Sequence, residues 1–307
     1  MLKFISAGES HGKGLIGIIE GLPAGLEISA GEIDAELKRR QGGYGRGGRM
    51  AIETDEVEII SGIRNGMTLG SPISFFIANR DHENWQGIMD SGVLEKPGEK
   101  KVTRPRPGHA DLAGAIKYRH EDMRNVLERA SARETAVRVA AGAIFKKLLR
   151  EFGIYIYSEV VGVGGVTCSA FRPDRETLAY FMELTGKSQL GSADLNKEEE
   201  MIKVIDRARR QGESLGGIFE TGAIGVSPGL GSHISFDRRL DARLAGLLMS
   251  IPAIKAVEIG EGTANAEKTG TMVHDELYYD PPGGLYRKTN HAGGIEGGIS
   301  NGETILV

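Results

Sequence analysis

Two histidines and a set of arginines carry most of the chemistry this chain can offer. His11 sits in "GESHGKG", a polar, glycine-rich turn between two apolar runs, and His109 sits in "TRPRPGHADL", where Pro105 and Pro107 stiffen the backbone. An imidazole in such a setting can protonate a departing oxyanion near neutral pH. A lone histidine is more often structural, but both of these lie near arginines: Arg104 and Arg106 precede His109. The stretch "RRQGGYGRGGRM" (39–50) sets Arg39, Arg40, Arg46 and Arg49 among glycines, in a chain whose formal net charge is -4. Each guanidinium is a permanent cation with a planar fork of donors matched to phosphate or carboxylate. Glycine lets such a backbone approach a ligand closely. The stretch therefore reads either as an anion cradle or as a solvated basic loop after a helix, with Arg39 and Arg40 favouring the helix C-terminus.

A second basic segment, "RNVLERASAR", surrounds Ser131 with Arg124, Arg129 and Arg133. Ser131 with Glu134 has the S-x-x-E spacing of a capping box. A helix N-terminus flanked by arginines also suits a phosphate, and the two readings are compatible.

Other chemistries find no support. The seven histidines show no H-E-x-x-H spacing and Cys168 stands alone, so neither a zinc site nor an internal disulfide is indicated, and the metal expectation is none. There is no Walker motif and no G-x-G-x-x-G opening a helix after a strand. No run nears the ~18 apolar residues of a membrane span. The N-terminus does not read as a signal peptide, and together with the single cysteine this suggests a cytoplasmic protein.

These residues must be held by ordinary elements. Ser29 with Glu32 forms a capping box, and Ile33 and Leu37 follow at helical spacing, so a helix is predicted from about Ala30 to Arg40, delivering the chain into the arginine loop. Behind Ser131, Val137, Ala140, Ile144 and Leu148 form one stripe, with Gly153 as the stop. Further helices are predicted at 174–185, 196–211 and 238–250. Strands are predicted in "LKFIS", "GLIGIIEG", "EVEIISGI", "SPISFFIA", "GIYIYSEVVGV", "GGIFETGAIGV" and "TMVHDELYY". The 45 glycines among 307 residues, well above the ~7% norm, fit tight turns in a sheet-rich fold.

A weak internal repeat runs through the chain. "GESHGKGLIGIIEGLPAGL" (8–26) resembles "GESLGGIFETGAIGVSPGL" (212–230), "IDAEL" (33–37) resembles "LDARL" (240–244), and "VEIISG" (57–62) resembles "VEIGEG" (257–262). Three ordered matches favour a duplicated strand-hairpin-helix unit (about 8–62 and 212–262) within one α+β domain spanning 1–307. His11 becomes Leu215 in the second copy, and the basic loop has no charged counterpart there. Polar chemistry is thus concentrated in the first copy.

Taken together, "GESHGKGLIGIIEGLPAG", "RRQGGYGRGGRM", "TRPRPGHADL", "ERASARETAVRVAAGAI", "GESLGG", "SPGLGSH", "SIPAIKAVEIG" and "NHAGGIEGGISNG" resemble the chorismate synthase family, in family order from residue 6 to residue 302. The resemblance implies a lyase of the shikimate pathway, and so of aromatic amino acid biosynthesis. The implied reaction is a 1,4-anti elimination of phosphate from 5-enolpyruvylshikimate 3-phosphate, giving chorismate with the help of reduced FMN. Such a substrate and cofactor bring several phosphates and carboxylates together, which gives a reason for the arginines.

Carried onto this sequence, the resemblance makes His11 the group that protonates the departing phosphate and places His109 beside the reduced flavin. Arg40, Arg46, Arg49, Ser131 and Arg133 fall at substrate-binding positions. Arg129, Ala130, Ser131, Pro252, Ala253 and Gly297 fall at flavin-binding positions, Pro252 replacing a more usual polar residue. In bifunctional members Arg40 and Arg46 correspond to NADPH positions, but no nicotinamide fingerprint is evident, and an external flavin reductase is expected as a partner. The family implies a homotetramer and a β-α-β sandwich with internal duplication, acting on a small molecule, with neither nucleic acid nor membrane as partner. Family members usually continue well past "NGETILV", through segments that carry further flavin contacts, so a C-terminal truncation is expected. Two other readings stand beside the enzyme: a non-catalytic anion- or RNA-binding protein using the Arg/Gly loop, and an inactive fragment of the enzyme.

Overall fold

The computed structural model describes residues 2–47, 52–94 and 98–307. They form two compact units, the first of Met1–Gly42 with Arg46–Leu148 and the second of Gly43–Gly45 with Leu149–Val307. Both mix helices with antiparallel sheets, an α+β composition.

The first unit is built on strands β1 (Lys3–Gly8), β2 (Gly14–Glu20), β3 (Ala24–Glu27), β4 (Val57–Ser61), β5 (Ile63–Arg64), β6 (Met67–Leu69) and β7 (Ile73–Ala78), with helix α1 (Ala30–Gln41) between β3 and β4. After β7 come a 3₁₀ helix (Arg80–Trp85) and helices α2 (Asp111–Tyr118), α3 (Arg124–Leu127) and α4 (Thr135–Glu151). The main sheet has the order β1-β2-β7-β4, and β3-β6-β5 form a smaller one. β1 and β2 pair from Lys3↔Glu20 to Gly8↔Leu15, so the turn between them, residues 9–13, projects from one end of the main sheet. His11 rides on that turn.

Period-two burial puts Leu15 and Ile19 of β2, and Ile73, Phe75 and Ile77 of β7, on the covered face. They pack with Ile33 and Leu37 of α1 and with Ala136, Val137, Ala140 and Ile144 of α4. Gly17 makes this packing possible, since a Cβ there would stand 2.2 Å from the Phe75 ring. The capping box at Ser29 is formed: its hydroxyl accepts from the Glu32 N–H, and Glu32 reaches back to the Ser29 N–H. The box expected at Ser131 is not. Ser131 caps a 3₁₀ turn (Ala132–Glu134) and accepts from the Arg133 N–H at 3.3 Å. Glu134 turns instead to the Ser6 hydroxyl and to Arg138. A nearly buried carboxylate is better satisfied by those partners than by a local backbone bond.

The second unit contains β8 (Tyr155–Val163), β9 (Val166–Thr167), α5 (Leu178–Lys187), α6 (Leu195–Gln211), β10 (Gly217–Ile224) and α7 (Leu240–Met249). There follow a helical turn α8 (Gly270–Val273) and short strands β11 (Leu277–Asp280), β12 (Gly284–Arg287), β13 (Ile295–Glu296), β14 (Ile299–Ser300) and β15 (Ile305–Leu306). Its main sheet has the order β15-β10-β8-β9. One side packs on Phe181 of α5, which with Tyr157, Ile224 and Leu306 forms a buried cluster.

Helix α5 begins later than the predicted 174. Asp174 accepts the N–H groups of Glu176 and Thr177 and the Thr177 hydroxyl, closing a turn that delays the helix. Of "TMVHDELYY" (271–279), residues 277–279 fall in β11 and 271–273 in the helical turn α8. The repeat copies share a strand (14–20 and 217–224) and a helix (30–41 and 240–249). Where 57–61 is β4, residues 257–261 form no strand. Among the described residues no helix is long and apolar enough to cross a membrane.

Candidate active site

Three elements fix the turn that carries His11. The Ser10 N–H donates to the Glu128 carbonyl at 3.0 Å, just beyond α3. The Asn79 amide, next to the 3₁₀ helix, donates to the carbonyls of Glu9 and Gly12 at 3.0 and 2.8 Å. His82 Nδ1 lies 3.0 Å from the His11 carbonyl. The backbone of residues 9–12 is therefore set by contacts far away in sequence.

The side chain of His11 is held as firmly. Its Nδ1 is 2.8 Å from Glu128 Oε2, and its own N–H donates to that oxygen at 2.9 Å. The ring stacks on Trp85 at 4.1 Å between centroids, tilted by 31°. Its Nε2 is 3.7 Å from Asp81 Oδ2. The Glu128 carboxylate, with only 1% of its side chain exposed, also accepts from Arg124 Nη1 at 2.8 Å. Burial works against its ionisation, but the hydrogen bonds and charge of His11, with help from Arg124, outweigh that and hold the carboxyl below the usual carboxylate range.

His109, half-buried, makes a short hydrogen bond from Nδ1 to Asp111. Asp111 opens α2, is fully buried, and accepts the N–H of Arg106 at 3.1 Å and its Nε at 3.0 Å. Burial again opposes the charge, yet the Arg106 and His109 partners bring the Asp111 carboxyl down to about 2. Arg106 Nη2 is 3.2 Å from His109 Nδ1, so the three groups form one local unit.

The arginines divide into buried and exposed groups. Arg133, with 4% of its side chain exposed, places Nη1 2.5 Å from Asp55 Oδ1 and donates from Nε to Asn79 at 2.9 Å. Arg40 shares Asp55 from the other side, with Nη1 3.4 Å from Oδ2, and donates to the Thr135 hydroxyl and the Ala132 carbonyl. Arg129 is exposed, and its Nη2 donates to the Ser6 carbonyl and hydroxyl while Nη1 donates to the Gly8 carbonyl. Arg46 is exposed and bonded to the Gly42 carbonyl. Arg49 lies outside the described residues.

The first unit thus brings His11, Arg129, Ser131, Arg133 and Arg40 onto one stretch of chain, residues 128–135, and the elements it touches. Ala130, half-buried, lies within that stretch. His109 is organised separately, through Asp111 and Arg106. In the second unit, Pro252 and Ala253 are exposed beyond the end of α7, and Ala253 adopts a left-handed φ of +72°. For a non-glycine residue this is uncommon and marks a strained position. Gly297, exposed in the turn between β13 and β14, has a φ of +60° and open space where a Cβ would project.

Sequence reasoning did not single out Glu128, Asp81, Trp85 or Asp111. Asp111 stands two residues from His109, and that proximity was the available signal. Glu128 is 117 residues from its partner, beyond the reach of any spacing rule.

Comparison with known proteins identifies the family. Residues 2–307 match the family model described as chorismate synthase. The chorismate synthase of Syntrophomonas wolfei subsp. wolfei (strain DSM 2245B / Goettingen) is 61% identical over 305 residues, covering 99% of this chain and 77% of the relative. That of Desulforudis audaxviator (strain MP104C) is 54% identical, covering 100% of this chain and 78% of the relative. A crystal structure of chorismate synthase superposes with a TM-score of 0.84 at 47% identity, covering 99% of this chain and 83% of that one.

Proposed function

The chain belongs to the chorismate synthase family and is a lyase of the shikimate pathway; on that footing we propose that it eliminates phosphate from 5-enolpyruvylshikimate 3-phosphate with reduced FMN, His11 giving the proton to the departing phosphate. The observation that carries this reading is the fixed imidazole of His11, stacked on Trp85 and tied to a turn that Arg129 also grips through Gly8.

The donor set suits an anionic flavin and a phosphate substrate. Arg129 offers an exposed guanidinium, Ser131 a half-buried hydroxyl at a helical N-terminus, and Gly297 open space beside its backbone. Arg129, Ala130 and Ser131 in the first unit fall at flavin-contacting positions of the family, as do Pro252, Ala253 and Gly297 in the second, and each set would contact the cofactor. When bound, reduced FMN would supply the electron density that weakens the allylic carbon–oxygen bond and would take up the hydrogen lost from the ring carbon, so that phosphate and hydrogen leave together.

The chain's own groups do the rest. Arg46 and Arg49, with Arg40, would neutralise substrate anions, while Arg133, its charge already met by Asp55 and Glu53, would act by holding that network in place. Arg40 and Arg46 would also meet NADPH if the protein reduced its own flavin. The lack of a nicotinamide fingerprint favours an external reductase. His109, held by Asp111 and Arg106, would lie beside the flavin and balance its charge. On the family resemblance the protein is cytoplasmic and a homotetramer; the strand and helix common to the two repeat copies support one duplicated α+β domain.

Single-turnover phosphate release with photoreduced FMN tests this. Stoichiometric release supports it. Salt-sensitive retention of RNA without any flavin affinity would favour the anion-binding alternative.

A further inference from the structure

We propose that Glu128 is the positioning residue for His11, fixing a ring proton on Nδ1 so that Nε2 is the nitrogen that delivers a proton to the leaving phosphate. This rests on the role given to His11 above.

The geometry is that of a clamp. One carboxylate oxygen of Glu128 receives both the Nδ1 of the ring and the N–H of the same residue, at 2.8 and 2.9 Å. An ionised carboxylate can only accept, so Nδ1 must donate. With backbone and ring tied to one atom, rotation about the His11 side-chain bonds is restricted. Trp85 closes one face of the ring and removes the remaining freedom to tilt.

The clamp itself is fixed from behind. Arg124 Nη1 donates to Glu128 Oε1, while the Arg124 and Lys100 cations lie over the Trp85 ring at 4.7 and 4.1 Å. Arg124 thus steadies both the carboxylate and the stacking partner. Burial opposes the charge, but the hydrogen bonds and charge of His11, with Arg124, outweigh it and hold the Glu128 carboxyl below its ordinary value. Among the described residues, the groups that face the imidazole include Glu128 at Nδ1, Asp81 toward Nε2 and Trp85 on the ring, with His82 at the backbone carbonyl.

A side chain that merely stabilised the turn would not choose between the two nitrogens of His11, and the tautomer therefore tests the inference directly. In protein with ¹⁵N-labelled histidine, without flavin or substrate, the wild-type His11 signal at alkaline pH should be the Nδ1–H tautomer. Glu128→Gln should give a mixed or Nε2–H signal. In turnover, Glu128→Gln should lower kcat by about tenfold to a hundredfold, within the ~10²–10⁴ scale of a lost general acid. KM should change little, the pH profile should move, and Glu128→Asp should restore part of the rate.

An Nε2–H tautomer in the wild-type protein overturns the inference even if no variant folds. So does Glu128→Gln with wild-type kcat and pH profile beside an impaired His11→Ala. Wild-type turnover by His11→Ala would instead bring down the assignment of His11, and with it the delivery role given to Nε2.

Discussion

Arg133 Nη1 lies 2.5 Å from Asp55 Oδ1, and 4% and 0% of the two side chains are exposed. Glu53 Oε2 stands 3.7 Å from the same guanidinium, so one buried cation faces two buried carboxylates. Removing the cation takes a partner from each, although Arg40 still reaches Asp55 and the Arg80 N–H still donates to Glu53. Arg133→Met should therefore cost about 2–3 kcal/mol, below the ~3–5 kcal/mol of a fully uncompensated buried charge. Urea denaturation read by circular dichroism measures it, and a loss well below 1 kcal/mol would show that Arg133 is not needed to hold this network.

His11→Ala and His109→Ala should each reduce turnover by about 10²–10⁴-fold, the scale of lost acid–base groups. Phosphate release in a single turnover is the measurement. Neither ring lies in the apolar core, so both variants should keep the wild-type fold by circular dichroism. Rates equal to wild type in either would withdraw the role given to that histidine.

Asp111 supplies a pH dependence of stability. Its carboxyl titrates at about 2 in the fold against an ordinary 3.8. A lowered value means that the folded state favours the ionised form. Its contribution is fully present above the ordinary value and is lost as pH falls through the range down to about 2. Urea midpoints across this range should fall more steeply in wild type than in Asp111→Asn, and identical slopes would contradict the assignment.

Gly297→Ala separates folding from cofactor binding. The position is left-handed at a φ of +60°, but a Cβ would meet no atom within 4 Å. The strain should cost about 1–2 kcal/mol, a modest fall in Tm. If the flavin passes this backbone closely, FMN affinity should drop far more than the fold does. Equilibrium dialysis decides, and unchanged affinity would remove Gly297 from the flavin site.

Much of the fold could be read from local patterns. The helix at 30–41 was announced by Ser29, Glu32, Ile33 and Leu37, because a capping box and an apolar stripe are short-range devices. β1, β2, β7, β8 and β10 were visible as apolar runs. Strands of two to four residues, such as β3, β5 and β6, carry too few side chains to show a period. Ser131 misled in one respect: the spacing to Glu134 was right for a box, but Ser6 and Arg138, brought in by the fold, compete better for that carboxylate. The site divided along the same line. His11, His109 and the arginines announce themselves by residue type and setting. Glu128, Asp81 and Trp85 matter only because tertiary structure carries them to His11.

Residues 128 to 135 join His11, the end of β1, Asp55 and Arg40 through the side chains of Glu128, Arg129, Arg133 and Thr135. Amino-acid changes within that span share neighbours, so their free-energy costs will not sum. A change at one of these positions should therefore alter the cost of a change at another, and the span behaves as one coupled unit rather than as separate contacts.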